Sequence, residues 1–376
     1  MTRKVMFLTT SAYVGGQERI ACGLSRAFVE RGWTVRSIFP DGPTRDMFLK
    51  WCREQGVQAE TSPALLDAAA PHPARAMLEL ARLVRDWQPD VVNIHYGDNF
   101  ISAKDLLGLR AAGLGRRYVV SVHHPTPWDS TGFRKKALTR VAAAMADDVT
   151  TFSNATRDIL LEAGVSPRHL HVIPCGVQVP KHLPGRADAR ARLALPADAF
   201  IVGTLGRQEP HKGLKDLIEA VALMPDPSGN LLLALAGDGP ERPALEALAA
   251  ARLDGKARFM GRVPDIDDFL ACCDVFALPS YLEGFGLVYV EAAFHGVPSV
   301  GTLVGGVPDA VRANETGLLV PVGDVARLSQ ALSRLRDDEP LRHELGDAAR
   351  ARANSELTET RMAERFERVF LGVARA

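Results

Sequence analysis

Cysteine is scarce in this chain of 376 residues: there are five, at positions 22, 52, 175, 272 and 273, an odd number with no Cys-x-x-Cys spacing. That argues against a disulfide framework and a structural zinc site, and points to a reduced, cytosolic protein. Cys272 and Cys273, near the end of an apolar helix, read as buried thiols. An excess of charge is also missing: 45 Lys and Arg face 45 Asp and Glu, so no global field exists to hold a nucleic acid. Long apolar runs are absent. The longest candidate, Leu231–Ala236, has strand length and falls far short of the roughly 20 residues that cross a membrane. The apolar stretch after Arg3 and Lys4 is too short for a signal peptide and reads as a first strand. No Asp-x-Asp pair at a strand end suggests a divalent-ion bridge, so no metal site is expected.

What is present is an ordinary hydrophobic content of 47% in a length that suits two domains. Strand-like runs at 4–9, 34–39, 57–60, 91–95, 118–122 and 149–152 alternate with helical periodicity, as at 20–29. Such alternation predicts a mostly parallel sheet with helices on both faces and ligands beyond the carboxyl ends of the strands. Residues 178–187, rich in Pro, Gly and basic side chains, read as a linker, and the pattern restarts at 200–205.

The most informative stretch is 279–292. An apolar run, Val275–Leu278, reads as a buried strand and 288–295 as a helix, which puts Glu283 in a loop and Glu291 on the helix. Gly284 and Gly286 let the backbone approach a ligand. The amides around Phe285, Gly286 and Leu287 are then unpaired donors at a helix N-terminus, where the local field favours an anion. One Glu alone would read as solvated, and two carboxylates could be a glycosidase pair. Anion-binding amides between them favour a phosphorylated leaving group.

This stretch, P-S-x-x-E-G-F-G-L-x-x-x-E-A followed by Gly296-Val297-Pro298, resembles the E-x7-E signature of retaining glycosyltransferases of the family 4 type, glycosyltransferase group 1. The resemblance implies an α/β fold of the GT-B kind: two Rossmann-like domains facing a central cleft, with the C-terminal helix returning to the N-terminal domain. It implies an acceptor domain over 1–180, completed by 358–376, and a nucleotide-sugar donor domain over 181–357. The implied activity is transfer of a sugar from a nucleotide-diphosphate sugar, UDP or GDP, to a hydroxyl of a glycan, a lipid-linked acceptor or a small molecule. Retention at the anomeric carbon is implied, without metal or cofactor.

Further elements stand in the expected order. Gly15 and Gly16 precede a helix and alone would be a turn; the resemblance places them against the donor sugar and phosphates. His123 matches the family's apolar-x-His element near the transferred sugar, where the imidazole hydrogen-bonds the donor. Tyr96, His124 and Trp128 fall in stretches the family varies and are the acceptor candidates, Trp128 either stacking on a sugar or stiffening a proline-rich loop. Ile173-Pro174-Cys175-Gly176-Val177 resembles I-P-N-G-V, with Cys175 where Asn is usual. Gly206, Arg207, Lys212 and Gly213 match G-R-x-x-x-x-K-G, with Pro210 breaking any continuous helix through the loop. Arg grips phosphate oxygens in a bidentate way and Lys adds a point charge; the resemblance gives both to the leaving pyrophosphate, Glu283 to the sugar and Glu291 to the ribose. Asp238, after Gly237, reads as a helix cap. The backbone of Gly261, Arg262 and Val263 is implied to read the base.

The basic segment 132–141 reads as a solvated helix face. Because many relatives act on lipid-linked acceptors, the alternative is peripheral membrane docking, which binding to anionic vesicles would test. Two rival functions remain: a sugar-nucleotide 2-epimerase of the same fold, and a nucleotide-sugar-binding relative without turnover. The combination of E-x7-E with both cations disfavours each.

Overall fold

The computed structural model describes residues 2–10, 15–41, 45–62, 73–98, 100–111, 116–126 and 132–373. Contacts divide the chain into two units, Met1–Val177 with Glu359–Ala376, and Gln178–Thr358.

Among the described residues of unit 1, seven strands form one parallel sheet: β1 (Lys4–Thr9), β2 (Thr34–Pro40), β3 (Ala59–Ser62), β4 (Val91–Tyr96), β5 (Arg117–Val122), β6 (Asp148–Thr151) and β7 (Leu170–Val172). Their order is β3-β2-β1-β4-β5-β6-β7. Helices α1 (Gly16–Glu30), α2 (Arg45–Glu54), α3 (Pro73–Trp87), α4 (Ala103–Ala111), α5 (Gly132–Met145) and α6 (Asn154–Glu162) supply the crossovers. Helices packed on both faces explain why strand sequences such as VVNIHY are buried along their whole length. The third strand begins at Ala59, two residues beyond the expected start at Val57. Val57 instead closes the end of α2, its amide donating to the Cys52 carbonyl at 2.9 Å and its side chain packing with Cys22, Cys52 and Phe39.

Unit 2 repeats the design with β8 (Phe200–Leu205), β9 (Leu231–Ala236), β10 (Ala257–Gly261), β11 (Val275–Leu278), β12 (Ser299–Thr302) and β13 (Gly317–Val320), in the order β10-β9-β8-β11-β12-β13. Its helices are α7 (Arg186–Arg192), α8 (Leu214–Ala222), α9 (Arg242–Arg252), α10 (Ile266–Cys272), α11 (Leu287–Phe294), α12 (Val307–Ala310), α13 (Val325–Asp337) and α14 (Glu339–Glu356). The end of the expected linker is already helix: Arg186 and Arg190 of α7 each pair with Asp274 at 2.8 Å.

The last helix, α15 (Glu359–Phe370), belongs to unit 1. Met362, Ala363, Phe366, Val369 and Phe370 form its buried stripe. Phe370 meets Phe28 at a centroid distance of 5.1 Å and Phe366 meets Phe152 at 6.0 Å. The Glu359 amide donates to the Val177 carbonyl at 3.1 Å, so the chain re-enters unit 1 beside the point where it left.

Candidate active site

In unit 2 the strand order reverses between β8 and β11. Connections leaving such a pair depart to opposite faces of the sheet and open a crevice beyond the strand ends. After β8 the chain runs through Gly206 and Arg207 into a 3-10 turn, Pro210–Lys212, that ends on Gly213 with φ 65°. After β11 the loop runs from Pro279 to Gly286, which starts α11 with φ 84°. Both glycines sit in the left-handed region that side chains avoid. Gly213 is required twice over, since a Cβ there would collide with the Pro279 carbonyl oxygen. The Tyr281 amide donates to the His211 carbonyl at 2.8 Å, and the Tyr281 hydroxyl donates to Asp216 at 2.7 Å. The two loops are therefore one structure.

Across them, Lys212 Nζ donates to Glu283 Oε2 at 2.8 Å, and Ser280 Oγ lies 3.4 Å from the same oxygen. Glu283 is only 8% exposed, and its carbonyl accepts from the Gly306 amide at 3.1 Å. Arg207 pairs with Glu209 while its guanidinium stays exposed. Burial and the Lys212 cation hold the His211 imidazole below its ordinary range, against an opposing pull from Glu209 and Glu283; the cations of this loop are thus Arg207 and Lys212. Gly286 offers no side-chain cap, which leaves the first amides of α11 for a ligand. Glu291 lies buried on α11. Gly284 and Phe285 complete the loop, with Phe285 buried.

Gly206 and Gly261 draw the remaining strand ends together. The Gly206 amide donates to the Ala236 carbonyl at 3.1 Å, and the Gly237 amide to the Gly261 carbonyl at 2.6 Å. Arg262 is exposed and Val263 half-buried. Asp238 is not the expected cap: α9 starts at Arg242 with Glu241 before it, and Asp238 accepts from the Gly239 amide at 2.8 Å in the preceding turn. Asp265-Ile266-Asp267, an acidic pair just past β10, is engaged at the start of α10. Asp265 accepts from the Asp267 amide at 2.8 Å, and Asp267 from His295 Nε2 at 2.9 Å.

In unit 1 the reversal falls between β1 and β4. Gly15 begins the helix after β1, its amide donating to Glu18 at 2.8 Å, and a Cβ on Gly16 would meet nothing within 4 Å. His123, just past β5, is 4% exposed, and its Nε2 lies 2.8 Å from Nδ1 of His95 on β4. Burial holds the His95 imidazole down at about 3, and burial with the neighbouring His95 and His124 holds His123 well below its usual range. Both are neutral at pH 7. Tyr96, expected to face an acceptor, is instead a core residue: it packs with Ile101 and Leu106, and its hydroxyl donates to Asp105 at 2.9 Å. Strand β4 is buried on both faces, so no residue in it is turned to solvent. His124 is half-buried. Trp128 lies outside the described residues. Cys175 is fully buried. On α5, Phe133, Leu138 and Val141 are exposed beside Arg134 and Arg140, whereas Lys136 pairs with Glu162.

The sequence motifs give no role to Ser280, whose place in P-S-x-x-E is the available signal, or to His95, which stands at the end of a strand-like run.

With these loops in place, the likeness to known proteins is informative. Residues 185–352 match the profile of glycosyl transferases group 1, and residues 14–180 that of glycosyltransferase family 4. The 2-deoxystreptamine glucosyltransferase of Streptomyces kanamyceticus is 30% identical over 296 residues, covering 70% of this chain and 73% of that protein. The MMP alpha-(1->4)-mannosyltransferase of Mycolicibacterium hassiacum is 30% identical over 307 residues, 76% of this chain and 72% of that protein. The chain belongs to glycosyltransferase family 4. The D-inositol 3-phosphate glycosyltransferase of Corynebacterium efficiens is more alike, 36% over 206 residues, but the match spans about half of each protein, 51% of this chain and 48% of the relative. Among solved structures, HepE of Anabaena in complex with UDP and glucose has a TM-score of 0.81 at 22% identity, covering 98% of this chain and 100% of that one. Sucrose-phosphate synthase of Thermosynechococcus elongatus has 0.78 at 23%, covering 99% of each. These structures establish the fold, the GT-B architecture of the family.

For a family 4 chain, the two loops at the β8 and β11 ends of unit 2 are the G-R-x-x-x-x-K-G and E-x7-E elements. They are 71 residues apart at Lys212 and Glu283 and meet in an ion pair.

Proposed function

We propose that the protein is a retaining glycosyltransferase that moves a sugar from a nucleotide-diphosphate sugar to an acceptor hydroxyl without a metal ion. The observation that carries the reading is the Lys212–Glu283 pair set beside the uncapped start of α11: a cation and free amides for the diphosphate, next to a carboxylate for sugar hydroxyls. Two relatives that cover much of the chain, a glucosyltransferase and a mannosyltransferase, support a hexose donor. The structure of HepE with UDP and glucose supports a uridine nucleotide.

In this reading the bond from the anomeric carbon to the diphosphate oxygen breaks, and its electron pair leaves with the phosphate. Arg207, Lys212 and the α11 amides stabilise the charge that develops there. The acceptor hydroxyl attacks on the face the phosphate leaves and passes its proton to that phosphate, so no protein nucleophile is needed. Glu283 orients the sugar, Glu291 the ribose, and His123 hydrogen-bonds the donor. Rate enhancement comes from positioning and fixed electrostatics.

The test is incubation with UDP- and GDP-hexoses and candidate acceptors in the presence of a chelator, with the product's anomeric configuration read by NMR. An α-linked product from an α-donor is expected. An inverted product contradicts retention, and loss of turnover on chelation contradicts metal independence. An epimerised donor without acceptor, or binding without turnover, would move the protein to one of the two rival functions.

A further inference from the structure

Two neutral imidazoles 2.8 Å apart can share one hydrogen bond only if one ring donates and the other accepts. Which does so decides what His123 offers to a ligand. The question builds on the reading of His123 as a donor-binding group but is settled by chemistry within unit 1.

We propose that His95 is a positioning residue that holds His123 in a single neutral tautomer. His95 donates from Nδ1–H, His123 accepts at Nε2, and the Nδ1–H of His123 is left to donate to a sugar hydroxyl. The other nitrogen of His95 fixes the direction of this hydrogen bond. Its Nε2 is buried and has no hydrogen-bond partner among the described residues, and the residue is fully buried. Were His95 protonated at Nε2, the site would enclose an unsatisfied N–H. With the proton on Nδ1, the same atom is a bare lone pair, the lesser loss for a buried polar group.

Aromatic rings flank the His95 imidazole. Its apolar neighbours are Phe7, with ring centroids 6.0 Å apart, and Phe152, at 6.5 Å. The His95 carbonyl accepts from the Thr10 amide at 3.1 Å, Thr10 Oγ1 at 3.2 Å and Gln17 Nε2 at 3.0 Å, which pins the residue at the end of β4. Phe152 lies 4.4 Å from the His123 ring, and the His123 amide donates to the Tyr96 carbonyl at 3.1 Å. Burial keeps both rings neutral, so an extra shared proton does not blur the assignment. A fixed tautomer is what a histidine needs to favour a hydroxyl that accepts over one that donates.

The experiment is long-range 1H–15N NMR on the full-length protein labelled at histidine, near pH 7, with signals assigned through single-histidine variants. The expected result is a pyrrole-like Nδ1 and a pyridine-like Nε2 for His123, and a pyrrole-like Nδ1 for His95. His95→Asn, whose side-chain amide lies near the position of Nδ1–H, preserves the His123 pattern. His95→Leu, with no donor, shifts His123 toward the Nε2–H form. A pyrrole-like Nε2 at His123 in the unmodified protein overturns the proposal, as does a His123 pattern that is the same in His95→Leu as in wild type. Should the Leu variant fail to fold, the wild-type and Asn spectra decide. No sugar, nucleotide or turnover enters the measurement, so a failure of sugar transfer would count against the proposed function and leave this result standing.

Discussion

Lys212 and Glu283 show how far single residues determine the chemistry. In the free protein the ammonium is matched by the carboxylate at 2.8 Å, so in the proposed function an arriving diphosphate shares a cation already held in place. Removing that cation leaves Glu283 buried without its partner, which weakens the site through lost phosphate contact and through an unpaired carboxylate together. Lys212→Ala is therefore expected to lower kcat about 100-fold or more, the scale of losing one fixed charge-stabilising donor. Lys212→Arg, which keeps the charge but not its geometry, should recover part of it. Glu291 acts differently. Buried on α11 and assigned to the ribose in the proposed function, it should contribute to binding, and Glu291→Ala is expected to raise the donor Kd about tenfold, equivalent to ~1.4 kcal/mol. Calorimetric titration with UDP beside steady-state kinetics separates the two effects; wild-type behaviour in both variants would remove the site.

At the scale of elements, α15 is the clearest case of sequence and packing agreeing. Its apolar residues recur at helical spacing and meet the rings of Phe28 and Phe152, while its polar side holds Glu367 against Arg31 and Trp33 Nε1, the latter at 2.8 Å. Burial alone would raise the Glu367 carboxyl, but the Arg31 and Trp33 donors outweigh it and hold it below its ordinary value. A carboxylate depressed in the folded state adds stability that is complete above the unfolded-state pKa, about 4.3, and lost as the pH falls through the folded value. Glu367→Gln should therefore melt below wild type at pH 7, with the gap closing as both are titrated below pH 4. A gap independent of pH would show that the ion pair is not its source. The element-level reading also had its failures, and their causes are local. Val57 carries a strand-like side chain yet closes a helix, because the nearest apolar surface is Cys22 and Cys52. Asp238 has the side chain of a cap but stands too early in the chain: α9 starts at Arg242, with Pro243 in its first turn.

For the whole molecule, the family and its fold were legible because most of the informative residues lie in loops, where Gly and Pro meet backbone demands, and Lys212 and Glu283 pair through their side chains, in a pattern that a linear sequence preserves. Pro210, Gly213 and Gly286 occupy the turn and the left-handed positions such demands require. What the pattern could not convey is orientation within wholly buried strands: Tyr96 and His95 are neighbours on β4, both hidden, one hydrogen-bonded to Asp105 and the other to His123. No periodicity separates their roles, since both faces of that sheet are covered. Likewise, the return of Glu359–Phe370 to unit 1 leaves no mark on composition; it was legible through the family resemblance.

The central claim is that the loops after β8 and β11 hold a nucleotide diphosphate, and thermal unfolding with UDP, GDP, ADP and their hexose conjugates tests it most directly. One nucleotide series should raise the Tm of the wild-type protein with increasing ligand, as binding to the folded state requires, and Lys212→Ala should abolish most of that rise. If no nucleotide shifts the wild-type Tm, or if the shift survives intact in Lys212→Ala, the site described in unit 2 is not where a nucleotide sugar binds.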